Sequence, residues 1–311
     1  MTDTILALAS ASAPDPSDLA GIVRARGVLV SLEITTWSGR RLDKRVTAET
    51  NNREGAEADA GRYNKNLLGG KVESFNACVA AAGAARAAHY RETLPWADEG
   101  SRLLPTMNYF EYAKMIREQR DGFKRAVAAF LAEYPQLIED AEHRLGAMYR
   151  AEDYPPASDI AARFTFRINF APVPAASDIR LDLPEEVTRH MEKSVTARVE
   201  RSVHAAVADG WTRLAESVAR IRDRLTEISG AENGRLHASL FENARETAET
   251  LRRLNVLQDP QLDSMAERIV RELGSLDPKA IRKDPAAMSD AAQTADAILS
   301  AMAGLYGEGA S

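Results

Sequence analysis

The order of apolar and polar residues divides this chain into elements. Val28, Val30, Leu32 and Ile34 alternate with Leu29, Ser31, Glu33 and Thr35. That period of two predicts a half-buried strand over 28–36, ended by Ser38-Gly39. The pattern recurs from Arg163 to Ala171, where Phe164, Phe166, Ile168 and Phe170 oppose Arg163, Thr165, Arg167 and Asn169. A third alternation, Ile179, Leu181 and Leu183, follows a six-residue link at 172–177 and predicts an antiparallel hairpin. The strand at 28–36 would complete a three-stranded sheet, since an isolated hairpin is marginal.

Helical periodicity governs the rest. Asp15-Pro16-Ser17-Asp18 reads as a helix start leading a short helix to Arg26, and an alanine-rich helix is expected from Val72 to Thr93. Residues 40–70 are polar and glycine-broken, predicting short helices, and 94–106 reads as a loop. Asn108 to about Tyr149 forms a first long helix with the seam Tyr109, Ala113, Ile116, Arg120, Phe123, Val127, Phe130, Tyr134, Leu137, Ala141, Leu145, Met148. Pro135 should kink or split it. Pro184 opens a second, with Glu185 and Glu186 in its first turn, where the helix dipole favours anions. Its seam begins at Val187, Met191 and Val195 and continues through Val199, Val203, Val207, Trp211, Leu214, Val218, Ile221 and Leu225 to Ile228. A helix of about 45 residues would span nearly 70 Å at ~1.5 Å per residue, so part of it should project or meet another chain. Shorter helices follow at 235–254, 260–273 and 286–306, punctuated by Asp259-Pro260, Asp277-Pro278 and Asp284-Pro285. The reading is a mainly α fold. Two long helices flank a small antiparallel sheet, and a group of shorter helices closes the chain. Its regions are a flexible 1–15, an α+β region 16–185, a helical region 186–306 and a flexible tail 307–311.

Composition narrows the function classes. Aromatics are 6% of the 311 residues, and no apolar run nears the ~18 residues of a membrane span. The single cysteine, Cys78, excludes an internal disulfide or a thiolate cluster within one chain and points to a reducing compartment, the cytoplasm. Net charge is −6, which disfavours bulk attraction to nucleic acid or anionic lipid. Ala20 to Lys71 nevertheless holds ten Arg/Lys against six Asp/Glu, a net of +4.

No catalytic constellation is legible. The five histidines have no i,i+4 pairing for a metal, and Leu68-Gly69-Gly70-Lys71 lacks the remaining residues of a phosphate loop. Cys78 sits among Ala77, Val79 and Ala80, as a packing residue would. No catalytic residue, metal or cofactor is expected. Two segments stand out as binding candidates. Trp37 is followed by Arg40, Arg41, Lys44 and Arg45, an aromatic beside four cations at a strand end, suited to nucleic acid or to an acidic protein. Arg163 and Arg167 line the polar face of the second strand. The seam from Val199 to Leu225 is the expected self-association surface, making a homo-oligomer the expected state.

The run from Leu29 through Trp37-Ser38-Gly39-Arg40-Arg41-Leu42 to Phe130-Leu131-Ala132-x-Tyr134 resembles the DUF3150 type of phage and prophage protein, over residues 28–185. The resemblance implies a phage-encoded protein of the host cytoplasm with no assigned enzymatic activity. Members are sometimes encoded near MoxR-type AAA+ ATPases and von Willebrand A proteins. The expectation is therefore a non-enzymatic, self-associating helical adaptor or scaffold serving such machinery, or alternatively a nucleic-acid-binding protein using the basic loop.

Overall fold

The computed structural model describes residues 19–96, 100–179, 184–229 and 235–308. The chain is mostly helical and forms two compact units. Unit one takes residues up to 31, 90–111 and from 169 onward; unit two takes 32–89 and 112–168. The units therefore interleave in sequence, whereas a single boundary near 185 was expected. The divisions fall inside the helices Glu73–Arg91 and Tyr109–Leu145 and the strands Gly27–Thr35 and Thr165–Ala171, and a sequence profile read end to end does not register such crossings.

Ten helices are described: α1 (Leu19–Arg26), α2 (Lys44–Arg53), α3 (Glu73–Arg91), α4 (Tyr109–Leu145), α5 (Ala157–Ala161), α6 (Glu185–Ser229), α7 (Ala238–Leu254), α8 (Pro260–Glu272), α9 (Pro278–Lys283) and α10 (Pro285–Glu308). The strands are β1 (Gly27–Thr35), β2 (Arg40–Leu42), β3 (Asn64–Asn66), β4 (Leu94–Pro95), β5 (Ser101–Pro105) and β6 (Thr165–Ala171). They form a four-stranded sheet of order β4-β5-β1-β6 and a separate β2-β3 ribbon. β5 runs antiparallel to β1, with Gly27 opposite Pro105 and Ser31 opposite Ser101.

Two sheet expectations are corrected. The stretch 94–106, expected as a loop, supplies β4 and β5, whose few residues are too short to display a period. The second hairpin strand does not form where it is described. Ala176–Asp178 is a 3-10 turn, Asp178 caps it by accepting from the Ala175 N–H at 2.8 Å, and 181–183 lie outside the described residues. The 40–70 stretch holds one helix and the β2-β3 ribbon, not helices alone.

Unit one is organised on α6. From Val199 to Ile228 its buried stripe meets α10 through Ala295, Ile298 and Met302, and α7 and α8 through Leu251, Leu254 and Ile269. α7 presents Phe241, Ala244, Ala248 and Leu251 on one face at three- and four-residue steps, the spacing that makes a helix stripe. Asp259-Pro260, Asp277-Pro278 and Asp284-Pro285 each mark a helix start. The carboxylates of Asp259, Asp277 and Asp284 accept from the N–H two residues on at 2.8, 2.9 and 2.9 Å, while proline's missing donor falls where no helical bond is needed. The α6 residues before Val199 bury no side chain, and Val187 and Met191 are exposed.

Unit two is organised on α4, which buries Tyr112, Ile116, Phe123, Phe130, Tyr134, Leu137, Ala141 and Leu145. The helix runs through Pro135 unbroken. Proline removes one backbone donor, and the flanking Tyr134 and Leu137 anchor the helix on both sides of it.

Candidate functional site

The basic loop is built on a tight turn. Gly39 takes φ +64°, a conformation that favours glycine, and its carbonyl accepts from the Leu67 N–H at 2.8 Å. This turn sends Trp37 inward. Its side chain is only 5% exposed and lies 5.9–6.3 Å from the rings of Phe75, Phe130 and Tyr134. Trp37 is therefore a core residue and cannot stack on a base, which corrects the expectation of an aromatic beside free cations.

Two of the four cations are engaged. The Arg41 guanidinium pairs with Asp153 at 3.0 Å, and Arg45 pairs with Glu49 at 2.7 Å. Arg40 and Lys44 are exposed with no ion-pair partner among the described residues. The side chain of Arg41 continues into a buried charge cluster that sequence reasoning missed. Lys65 is 3% exposed; its ammonium lies 2.5 Å from Asp153, 3.3 Å from Asp43 and donates to the Met148 carbonyl at 2.8 Å. The two carboxylates thus hold the ammonium by charge and the Met148 carbonyl holds it by a hydrogen bond. Asp43 also caps α2, accepting from the Val46 N–H at 3.1 Å. That bond does most to hold its carboxyl below the ordinary 3.8, against the opposing effect of burial and with help from Lys65. The cluster pins the β2-β3 ribbon to α2 and to the 3-10 turn at Ala151–Asp153. Its spacing is invisible in sequence because the three charges are 22 and 88 residues apart, at positions 43, 65 and 153.

Arg163 and Arg167 remain exposed, as expected of the polar row. The Arg163 carbonyl accepts from the Thr35 hydroxyl at 2.7 Å, which also meets the Thr165 hydroxyl at 2.8 Å. The opposing apolar row splits. Phe164 and Phe166 pack on Phe123 at 6.3 and 5.9 Å, while Phe170 is 51% exposed.

The seam of α6 is corrected as well. Val199, Val203, Trp211, Leu214, Val218, Ile221 and Leu225 are buried, and Val207 partly so, against helices of the same chain. These residues are an intramolecular core and not a surface left for a second copy. The seam positions from Val199 to Leu225 are apolar and buried or half-buried, but α7, α8 and α10 supply the covering surface that was expected from another protomer.

Nucleophiles and titratable groups in the core are quiet. Burial pushes the Cys78 thiol up to about 11, and it donates to the Ser74 carbonyl at 3.3 Å. Burial likewise raises the Tyr134 and Tyr154 phenols to about 12. His89 is buried with Nδ1 2.9 Å from the Tyr112 hydroxyl, a pair the sequence did not announce. Among the described residues no group of three or more His, Cys, Asp or Glu is placed to hold a metal ion. No described helix is long and apolar enough to cross a membrane.

A different surface carries an unexplained exposure. Phe110 is 81% exposed and contacts Tyr109 edge-on at 5.6 Å. Tyr109 in turn lies 6.3 Å from Phe170, and Met107 is exposed nearby in sequence. Tyr109 was expected in the seam of the first long helix, but Tyr112, one turn on, takes the core position. The signal available in sequence was the cluster Met107, Tyr109, Phe110 at a helix start, where three large apolar residues exceed what one buried stripe absorbs. Comparison with known proteins finds no matching family model, no matching curated protein and no matching solved structure.

Proposed function

We propose that this chain is a non-enzymatic interaction protein, a self-associating helical scaffold whose interface is the aromatic patch of Tyr109, Phe110 and Phe170. The observation that carries this reading is the exposure of Phe110, 81% in contact with a second exposed ring. Monomers rarely leave contiguous large apolar patches in water. Aromatic and methionine side chains are the residues enriched at the centres of protein interfaces. A patch of rings is also self-complementary, as a two-fold interface requires, and two-fold dimers are the commonest oligomers. The α6 seam, being covered internally, is not needed for this association. Service to a MoxR-type AAA+ ATPase or a von Willebrand A protein, in a phage setting, is a further part of the proposal and rests on the resemblance of residues 28–185 alone.

Disulfide trapping tests the interface. Cys78 is buried and does not compete. Mild oxidation of Phe110→Cys should give a covalent dimer at micromolar concentration, whereas Tyr63→Cys, exposed in unit two, should stay monomeric. Equal trapping of both variants, or of neither, would contradict the reading.

A further inference from the structure

A second feature of unit one is independent of the aromatic patch. A cleft of about 500 Å³ opens between β1, the start of β5 and one face of α6. That volume falls within the range of small-molecule sites. Its walls combine three chemistries. Leu29, Pro174 and Val199 give apolar surface, and Trp96 adds an aromatic one. Arg198 and Arg201 stand three residues apart on α6, hence on one helix face, and both are exposed. Neither guanidinium has an ion-pair or hydrogen-bond partner among the described residues, and no carboxylate is among the described residues lining the cleft.

The third component is a hydroxyl that α6 leaves unused. Some hydroxyls along this helix bond back to a carbonyl about one turn earlier. Thr196 does so to Glu192 at 3.0 Å, Ser217 to Leu214 at 2.7 Å and Thr226 to Arg222 at 2.9 Å. Ser202 is 8% exposed, lines the cleft and has no such partner. Its hydroxyl opens onto the cleft, where it can donate to or accept from a ligand seated there. Here it lies four residues from Arg198 and one from Arg201, at the cationic side of an apolar cleft.

We propose that this cleft binds a small organic anion, its apolar body against Trp96 and Leu29 and its anionic head on Arg198 and Arg201. Ser202 supplies a hydrogen bond to the same head. Guanidinium forks suit phosphate and carboxylate alike, so both heads belong to the class. The two guanidinium groups make the site favour anions over cations and neutral analogues.

Calorimetric titration of the full chain with 1-naphthyl phosphate, 1-naphthoate and 1-naphthol separates the components. One of the two anions should bind at least about tenfold more tightly than the neutral naphthol, since each tenfold is ~1.4 kcal/mol and a charged hydrogen bond contributes more than that. Whichever anion binds more tightly identifies the head as phosphate or carboxylate. Arg198→Gln/Arg201→Gln should lose at least about tenfold in anion affinity with unchanged circular dichroism, because both side chains are exposed. Ser202→Ala should weaken anion binding a few-fold and leave naphthol unaffected. Naphthol binding as tightly as both anions, unchanged anion affinity in the double arginine variant, or no binding of any probe up to millimolar concentration would overturn the proposal.

Discussion

The two units bury their cores by different means. Unit one stacks helices, and its interior is mainly aliphatic: valine, leucine, isoleucine, alanine and methionine from α6, α7, α8 and α10 surround Trp211 and Phe241, with Trp96 partly buried against them. Unit two packs rings, with Trp37, Phe75, Phe130, Tyr134 and Phe164 in mutual contact. It also buries a lysine between two aspartates. An aliphatic helix seam tolerates small shifts in register. A ring cluster tied to a buried charge trio has far fewer acceptable arrangements, because leaving any charge unpaired costs more than the pair contributes. Unit two is thus the more exactingly specified of the two, and substitutions should reveal it.

Phe130→Ala should have the largest effect, about 4 kcal/mol, since it removes the ring at the centre of the cluster. Hydrogen exchange should show lost protection in α4 with α6 to α10 retained, provided the cores are separate. Lys65→Met should cost about 3 kcal/mol at neutral pH, because it strands two buried carboxylates without their cation. Leu214→Ala, in the aliphatic seam, should cost a similar ~3 kcal/mol, but with protection lost in α6 and α10. Equal loss of protection across both units in every variant would erase the distinction.

Acid should separate the units further. The native Asp43 carboxyl is held below its ordinary 3.8, so its contribution is complete above that value and disappears as pH falls through the lower native one. Unit two should therefore lose stability first on acidification, and Asp43→Asn, which keeps a capping side chain, should flatten that acid limb in urea melts. Glu272 in unit one is also held low, first by Arg271 and also by Arg268, but it stands at the surface and solvent screens its contribution. The smallest effect belongs to Arg45→Ala, an exposed i,i+4 pair with Glu49, expected below about 0.5 kcal/mol in the same melts.

The same contrast explains what the sequence could reveal. Helix-period stripes are local, so α4 and α6 emerge from spacing with bounds within a few residues, as do β1 and β6 from alternation. The Asp-Pro pairs at 259, 277 and 284 are equally local, and each carboxylate caps the helix that follows. The identity of the covering surface is not local. Nothing in the spacing of Val203 or Leu225 distinguishes burial against α10 from burial against another chain. Trp37 beside four cations looked accessible because its partners Phe75, Phe130 and Tyr134 are remote in sequence. The Asp43–Lys65–Asp153 trio was hidden for the same reason, as were the two short strands β4 and β5. That Ser202 shares a cleft with Arg198, Arg201 and Trp96 is legible only in three dimensions.

Sedimentation velocity on three proteins tests the central claim, that association uses the aromatic patch and not the α6 seam. Wild type at high micromolar concentration should sediment at twice the 34.0 kDa of one chain. Phe110→Ser/Phe170→Ser should sediment as a single chain with an unchanged melting temperature. Leu214→Ala should melt earlier yet keep the doubled mass. A monomeric wild type, or a dimer that survives loss of both phenylalanines and dissociates in Leu214→Ala, would contradict the account.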